Sequence, residues 1–298
     1  MLKKLLLIIN PVAGKGEYRA NLPEALQLAD EAGYETTVRF TKGKGDAVSI
    51  AEENGDKYDI AACIGGDGTL SEMLEGLMKL PEEKRPEVGY IPMGTANDIA
   101  TNLGLPKNNA KEGMKVIIEG TPHPFDVGGF GDKEHFAYIA AFGAFTEVSY
   151  ATPQNQKKAL GHLAYVLQGA AELTNIETYH TRVEFDDGVI ETDLVYGSMS
   201  NSTSVAGIVK LKEEMVSLGD GMSELVLVKD PGSIDGFADI VSSVLSQRFN
   251  SDKLIILHTK KAKFTFEKPV AWTRDGEAGG LHTEIELKNY PHPVRMIF

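Results

Sequence analysis

Cysteine and tryptophan are nearly absent, with one of each in 298 residues. A single thiol, Cys63, excludes an internal disulfide and a Cys-rich zinc site, and it fits a reducing compartment as a small buried strand residue. Long apolar runs are missing too. The longest purely aliphatic stretch covers residues 5–9. It falls far short of the roughly 18–20 residues that cross a bilayer and lies too near the start to resemble a secretory signal, so a soluble, cytoplasmic protein is expected. Positive charge is in deficit, 30 Lys and Arg against 43 Asp and Glu, for a net −13 and a pI near 5.1. That balance disfavours general attraction to nucleic acid or anionic lipid, so an anionic ligand must be held by a local arrangement. There is no fixed-period repeat and no low-complexity tract.

What is present is a rhythm. In the first third, strand-like runs at 5–9, 34–40, 58–64 and 88–91 alternate with helical patterns at 22–32, 46–54, 70–80 and 97–103. This order predicts an α/β domain built on a parallel sheet. The helix at 70–80 places Leu70, Met73, Leu74, Leu77 and Met78 on one face, with Thr69 and Glu72 as a capping-box pair and Pro81 as a stop. After about Thr121 the pattern changes to runs at 125–130, 135–142, 179–185, 189–196, 225–228, 254–258, 262–266 and 284–287, interrupted by helical patterns at 157–173 and 234–246. The second domain is therefore read as mostly antiparallel β. The seam is placed at Thr121-Pro122-His123-Pro124, giving domains of 1–122 and 123–290.

The chemistry gathers in the loops after the four early strands. They read Asn10-Pro11-Val12-Ala13-Gly14-Lys15-Gly16, Thr41-Lys42-Gly43-Lys44-Gly45-Asp46, Gly65-Gly66-Asp67-Gly68-Thr69 and Pro92-Met93-Gly94-Thr95-Ala96-Asn97-Asp98. Each combines glycine with hydroxyl, amide, acidic or basic groups. Ligands of open α/β sheets sit outside the carboxyl ends of the strands, so the loops converge on one edge. Helix-start N–H groups can bind phosphate, Lys15 and Lys44 can neutralise it, and Asp67 can hold Mg²⁺ directly or through water. Taken singly, each loop is also ordinary turn chemistry, with Asp67 bonding to nearby N–H groups. No Walker pattern is present, and no G-x-G-x-x-G follows the first strand.

The segments INPVAGKG, CIGGDGTLSE and IPMGTANDIA resemble the three N-terminal motifs of the diacylglycerol kinase catalytic-domain family, found in bacterial lipid kinases and sphingosine kinases. The similarity continues through FDVGGF, TPQNQKKALGHLAYVLQGAAEL, SNSTSVAGI, SLGDGMSELVLV and RDGEAGG, and looks closest to the soluble kinases of Gram-positive bacteria. The resemblance implies an α/β nucleotide-binding domain of the NAD kinase and diacylglycerol kinase kind. A C-terminal, mostly antiparallel β-sandwich would follow, the active site would lie in the cleft between the two, and residues 291–298 would return to the first domain.

Carried over on matching positions, it places ATP against Asn10, Pro11, Val12, Ala13 and Gly14, with Lys15 as a basic partner. Further ATP contacts would come from Thr41, from Gly66, Asp67, Gly68, Thr69, Leu70, Ser71 and Glu72, and from Thr95. Asp67 would organise catalytic Mg²⁺ and the phosphates. Asp98 matches an aspartate of the catalytic network, or is simply a helix-start acid favoured by the dipole. Arg19 is a second basic candidate at looser spacing. Glu277 of Arg274-Asp275-Gly276-Glu277 matches the general base, though without the resemblance RDGE reads as an exposed turn. A structural Mg²⁺ would be bound by Asp220 and by backbone oxygens of Ser217 and Met222, with Gly219 standing where relatives often carry aspartate.

The implied activity is ATP-dependent phosphorylation of diacylglycerol to phosphatidic acid. The implied partner is diacylglycerol at a membrane surface, met peripherally and reversibly, with no nucleic acid and with a homodimer left open. Residues 157–173 are the candidate docking helix, or an amphipathic helix packed on its own core. Rival readings are a kinase for another lipid alcohol, an NAD kinase or phosphofructokinase sharing the GGDG turn, and a non-catalytic nucleotide- or lipid-binding regulator. Retention of Asp67, Asp98 and Glu277 argues against the last.

Overall fold

Strand β1, Lys3–Ile9, is the axis of the first unit. Its residues from Leu5 to Ile9 are fully buried on both faces, as expected of a central parallel strand. It pairs in parallel with β2, Tyr34–Phe40, on one side and β3, Ile60–Gly65, on the other, and β3 pairs in parallel with β4, Glu87–Pro92. The computed structural model describes residues 2–95, 97–144, 177–201, 204–205, 209–210, 219–245 and 251–298. The chain divides into two units, Met1–Val127 with Pro291–Phe298, and Gly128–Tyr290.

Alternation along the strands sorts the helices of the first unit. Leu5, Leu7, Ile9, Ala62 and Ile64 pack with α1, Leu22–Glu31, and α5, Ala110–Glu119, through Ala25, Ala29, Met114 and Ile117. The opposite face, with Cys63 and Tyr90, lies on the side of α2, Asp46–Asn54, and α3, Asp67–Met78. The α3 stripe is buried at Leu70, Met73, Leu74 and Leu77, each worth about 1.5–3 kcal/mol relative to exposure. A short helix, α4, Asp98–Asn102, precedes α5. Immediately before β5, Pro122–Phe130, Thr121 and Phe298 exchange reciprocal backbone bonds. Met296 pairs in parallel with Val88.

Some local expectations are corrected. Helix α3 starts at Asp67, capped by an extended Gly66, so Thr69 lies inside its first turn. Glu72 does not complete a capping box; its Oε1 accepts from the Gly45 N–H at 2.9 Å. The 135–142 run is two strands, β6, Glu134–Phe136, and β7, Ile139–Gly143, because the chain is interrupted at 137–138. Helix α5 went unread in the sequence, although Asn109 caps it by accepting from Glu112 N. The proposed 157–173 helix, Ser217 and Ser246 lie outside the described residues.

The second unit is an antiparallel sheet. After β8, Tyr179–Phe185, and β9, Gly188–Ser200, come the short β10, Ser204–Val205, and β11, Val209–Lys210. Strand β12, Ser223–Lys229, helix α6, Ile234–Leu245, and strands β13, Leu254–Thr259, β14, Lys261–Arg274, and β15, Glu277–Ile297, follow. Long strands do the closing. Residues 196–200 of β9 pair with β7, and residues 188–194 pair with β8. Likewise, residues 272–274 of β14 pair with β7 and residues 262–266 with β8. These four strands complete a circuit, made feasible by a register shift in β14 between Thr265 and Val270 that bends the strand. The core of this unit holds Phe130, Phe142, Phe264 and Trp272, whose rings meet edge-on or tilted at 4.9–5.9 Å.

Candidate active site

The four parallel strands of the first unit end level with one another. Ile9 lies opposite Phe40 and Ile64, and Gly65 opposite Pro92, so the four predicted loops leave one edge of the sheet. Because β1 leads to β2 on one side and β3 leads to β4 on the other, the gap between β1 and β3 is where this fold opens a ligand crevice. Asn10 spans that gap. Its N–H donates to Ile64 O at 2.9 Å, its Nδ2 donates to Thr69 Oγ1 at 3.1 Å, and its Oδ1 accepts from Val12 N at 3.2 Å.

Gly14, Lys15 and Gly16 follow at φ values of 53°, 55° and 79°. Consecutive left-handed residues make a tight turn, and such turns gather backbone N–H groups around anions. A Cβ on Gly14 would lie 2.3 Å from Met93 O, so the first and fourth loops meet through glycine alone. The third and fourth loops do the same: a Cβ on Gly94 would sit 2.5 Å from Gly66 Cα. In the second loop, buried Thr41 donates its N–H to Ile9 O, and Lys42 N donates to Asp46 Oδ2 at 2.6 Å. Glu72 holds Gly45 and thereby ties this loop to α3.

Asp67 is the hub. It sits in the first turn of α3, yet its carboxylate accepts from the N–H groups of Asp98 (2.9 Å) and Ile99 (3.3 Å) and from the Tyr90 hydroxyl (3.3 Å). It therefore caps α4 from another segment of the chain. Burial pushes its carboxyl up to about 6, with the Asp98 charge adding to the rise and the bonds from Asp98 N, Ile99 N and Tyr90 opposing it. The negative charge here lacks full compensation, a setting suited to a cation. Burial first, and Asp67 second, also push the Tyr90 phenol and the Cys63 thiol up, so both stay protonated and inert.

Of the other predicted residues at this edge, Pro11, Ala13, Gly68, Ser71 and Asp98 are partly exposed, while Val12, Lys15 and Thr95 are exposed. Leu70 is fully buried, so its side chain belongs to the core. Sequence reasoning missed two residues. Asn97, at φ 52° and 1% exposed, accepts from Gly94 N through Oδ1 and donates to Gly94 O through Nδ2, fixing the fourth loop. Tyr90 lies within 3.4 Å of the same Oδ1. The helix-start position of Asn97 was a legible capping signal, whereas nothing local marked Tyr90.

In the second unit, Asp275 and Gly276 form a two-residue hairpin loop, with φ values of 48° and 81°, closed by the Arg274 and Glu277 pair. Glu277 is exposed at the start of β15. Arg274 bonds Glu134 at 3.2 Å. Asp220 is exposed, and its Oδ1 accepts from Met222 N at 2.9 Å, an Asx turn. Among the described residues, no three His, Cys, Asp or Glu side chains gather as a metal site. The candidate residues thus fall into an edge group in the first unit and a turn group in the second.

Residues 4–130 match the model of the diacylglycerol kinase catalytic domain. The chain is 31% identical over 292 residues to the diacylglycerol kinase of Bacillus subtilis (strain 168), covering 98% of this chain and 95% of that one. It is 32% identical over 281 residues to the diacylglycerol kinase of Staphylococcus aureus (strain bovine RF122 / ET3-1), covering 94% and 88%. The crystal structure of a diacylglycerol kinase from Bacillus anthracis str. Sterne superposes with a TM-score of 0.77 at 27% identity, over 99% of this chain and 97% of that one. With identity of this level spread from end to end of both chains, and with a strand-edge constellation centred on the Asp67 turn, the protein belongs to the diacylglycerol kinase family.

Proposed function

We propose that the protein is an ATP-dependent lipid kinase that converts diacylglycerol to phosphatidic acid. The observation that carries this reading is its similarity, over nearly the whole chain, to enzymes named diacylglycerol kinase. The kinase family implies ATP as phosphoryl donor. Asn10, the left-handed turn at Gly14–Gly16 and the first N–H groups of α3 receive the nucleotide phosphates, with Lys15 opposing their charge. Thr41, Thr69 and Thr95 supply hydroxyls around them.

Asp67, ionised at neutral pH and only partly compensated by its three hydrogen bonds, fits a divalent cation and would hold Mg²⁺, with Asp98 adding a second carboxylate beside it. When bound, Mg²⁺ neutralises phosphate charge that builds during transfer. Glu277 accepts the proton of the lipid hydroxyl, since a neutral alcohol is a poor nucleophile near pH 7. Asp220, with backbone oxygens of Met222 and Ser217, would hold a second, structural Mg²⁺. The antiparallel unit is read as a β-sandwich carrying the lipid-acceptor determinants, in which the long strands β9 and β14 each pass from pairing with β7 to pairing with β8. The contact with the lipid surface is read as peripheral and reversible; among the described residues no helix is long and apolar enough to cross a membrane.

The test is a vesicle assay with labelled ATP and Mg²⁺, in which diacylglycerol, monoacylglycerol, ceramide, sphingosine and soluble NAD compete as acceptors. Label should enter phosphatidic acid. Transfer to NAD alone, or nucleotide binding without transfer to any acceptor, would overturn the reading.

A further inference from the structure

Hairpin ends are ordinarily among the most mobile parts of a fold, because the hydrogen-bond ladder stops there and few contacts replace it. The β14 and β15 hairpin ends differently. The ladder between β14 and β7 runs from Trp272 opposite Phe142 to Arg274 opposite Ala140. Beyond its last pair, the Asp275 N–H donates to Ile139 O at 2.9 Å. The Asp275 side chain then turns back into the protein. Its Oδ2 accepts from Ala137 N at 2.6 Å, and its Oδ1 accepts from Tyr138 N at 3.0 Å and Ile139 N at 3.1 Å.

Four hydrogen bonds thus fasten a two-residue loop to one three-residue segment. Asp275 is only 7% exposed and occupies the left-handed region at φ 48°, while Gly276 beside it is exposed. Glycine or asparagine would satisfy the turn, since both tolerate positive φ. Neither offers two acceptor oxygens to three consecutive N–H groups. The carboxylate is therefore chosen for its grip on residues 137–139. That segment is itself held from behind, because Tyr138 O accepts from Asn201 N at 2.9 Å.

We propose that Asp275 is a positioning residue that acts through Glu277, two residues further on. The inference rests on the reading of Glu277 as the proton acceptor. A base on an exposed hairpin tip contributes only when its carboxylate returns to the same place in every turnover, and a displacement of about 1 Å is enough to cost about 10²-fold in rate. By anchoring the loop to the start of β7, Asp275 removes the twisting and fraying that would otherwise move Glu277. The three bonds its carboxylate accepts all come from backbone of its own unit, so its replacement is expected to act on turnover and not on ATP affinity.

The test is a double-mutant cycle. Asp275→Asn, Asp275→Gly, Glu277→Gln and the Asp275→Asn/Glu277→Gln double variant are compared for diacylglycerol turnover and ATP affinity. Asp186→Asn serves as the control, because Asp186 anchors another hairpin end in the same unit by accepting from Lys260 N at 2.7 Å. The two Asp275 variants should keep ATP affinity within a factor of about two and lose roughly 10²-fold in kcat. On the Glu277→Gln background, Asp275→Asn should add less than about threefold, since a positioning residue has nothing left to position. Asp186→Asn should lower the melting temperature and leave kcat within about twofold.

Multiplicative losses in the double variant, or kcat within about threefold of the parent for Asp275→Asn, would overturn the proposal. Should Asp275→Gly fail to fold, Asp275→Asn carries the test, because it keeps the size and the tolerance for positive φ. Undiminished turnover in Glu277→Gln would instead overturn the assignment of the base, whatever the Asp275 variants do.

Discussion

Replacing Asp67 with asparagine should relieve an electrostatic cost at neutral pH while removing phosphoryl transfer. The carboxyl titrates near 6 in the fold against 3.8 in an unperturbed chain. Between those values the folded protein holds more protons than the unfolded one, so stability falls as pH rises through the window. A shift of about 2 units costs about 3 kcal/mol in all, of which about 2 kcal/mol falls between about pH 4.5 and pH 7.5. Asparagine escapes that loss. It keeps one oxygen to accept from Asp98 N but loses an acceptor for Ile99 N or Tyr90, a roughly pH-independent cost of about 1–2 kcal/mol. The slope, not the absolute stability, carries the prediction. With a chelator present, the melting temperature of Asp67→Asn minus that of the parent should rise by roughly 4–8 °C from about pH 4.5 to about pH 7.5. Turnover in the vesicle assay should drop by at least roughly 10²–10³-fold. A difference that stays flat or falls with pH would refute the claim that burial raises this carboxyl. Near-parent turnover would remove Asp67 from the phosphate site.

Other consequences can be measured on the same preparation. Gly94→Ala puts a methyl 2.5 Å from Gly66 Cα and 2.7 Å from Asn97 Oδ1, so the third and fourth loops must part. It should cost about 1–3 kcal/mol in denaturant titration and weaken ATP binding by more than about tenfold, whereas unchanged ATP affinity would mean that these loops do not shape the nucleotide site. Glu277→Gln should lower kcat by roughly 10²–10⁴-fold with ATP affinity retained. Lost ATP binding would make it a nucleotide contact instead. Asp220→Ala should lower the melting temperature to the value the parent shows after chelation of Mg²⁺, because an ion bound only by the folded state stabilises it. Insensitivity to both treatments would eliminate the structural metal.

The local elements were legible because their signals are local. Strand β2 and helix α2 lie where alternation and periodicity put them, residues 34–40 and 46–54. The common edge of the four loops also follows from the strand–helix rhythm, which permits little besides a parallel sheet. Reading failed where a partner distant in the chain displaced the local one. Thr69 and Glu72 have the spacing of a capping box, but Asn10 claims the Thr69 hydroxyl and Gly45 claims the Glu72 carboxylate. Helix α3 consequently begins at Asp67.

The sequence by itself determined which residue types stand at the strand ends, namely glycines that allow close approach, helix-start N–H groups, Lys15 and the Asp67 carboxylate, the set on which the proposed phosphate and cation sites rest. Only the tertiary structure decided what each group does with its remaining bonds. Asp67 accepts from backbone 31 and 32 residues away, and Asp275 from backbone 136 to 138 residues away. Such partners leave no periodic trace, because they are set by the register in which strands align. Gly65 opposite Pro92 brings α4 to Asp67, and Arg274 opposite Ala140 brings three N–H groups to Asp275. The short-range preferences of the chain select the strands, while burial of alternate faces fixes their register, and the register hands each carboxylate its partners.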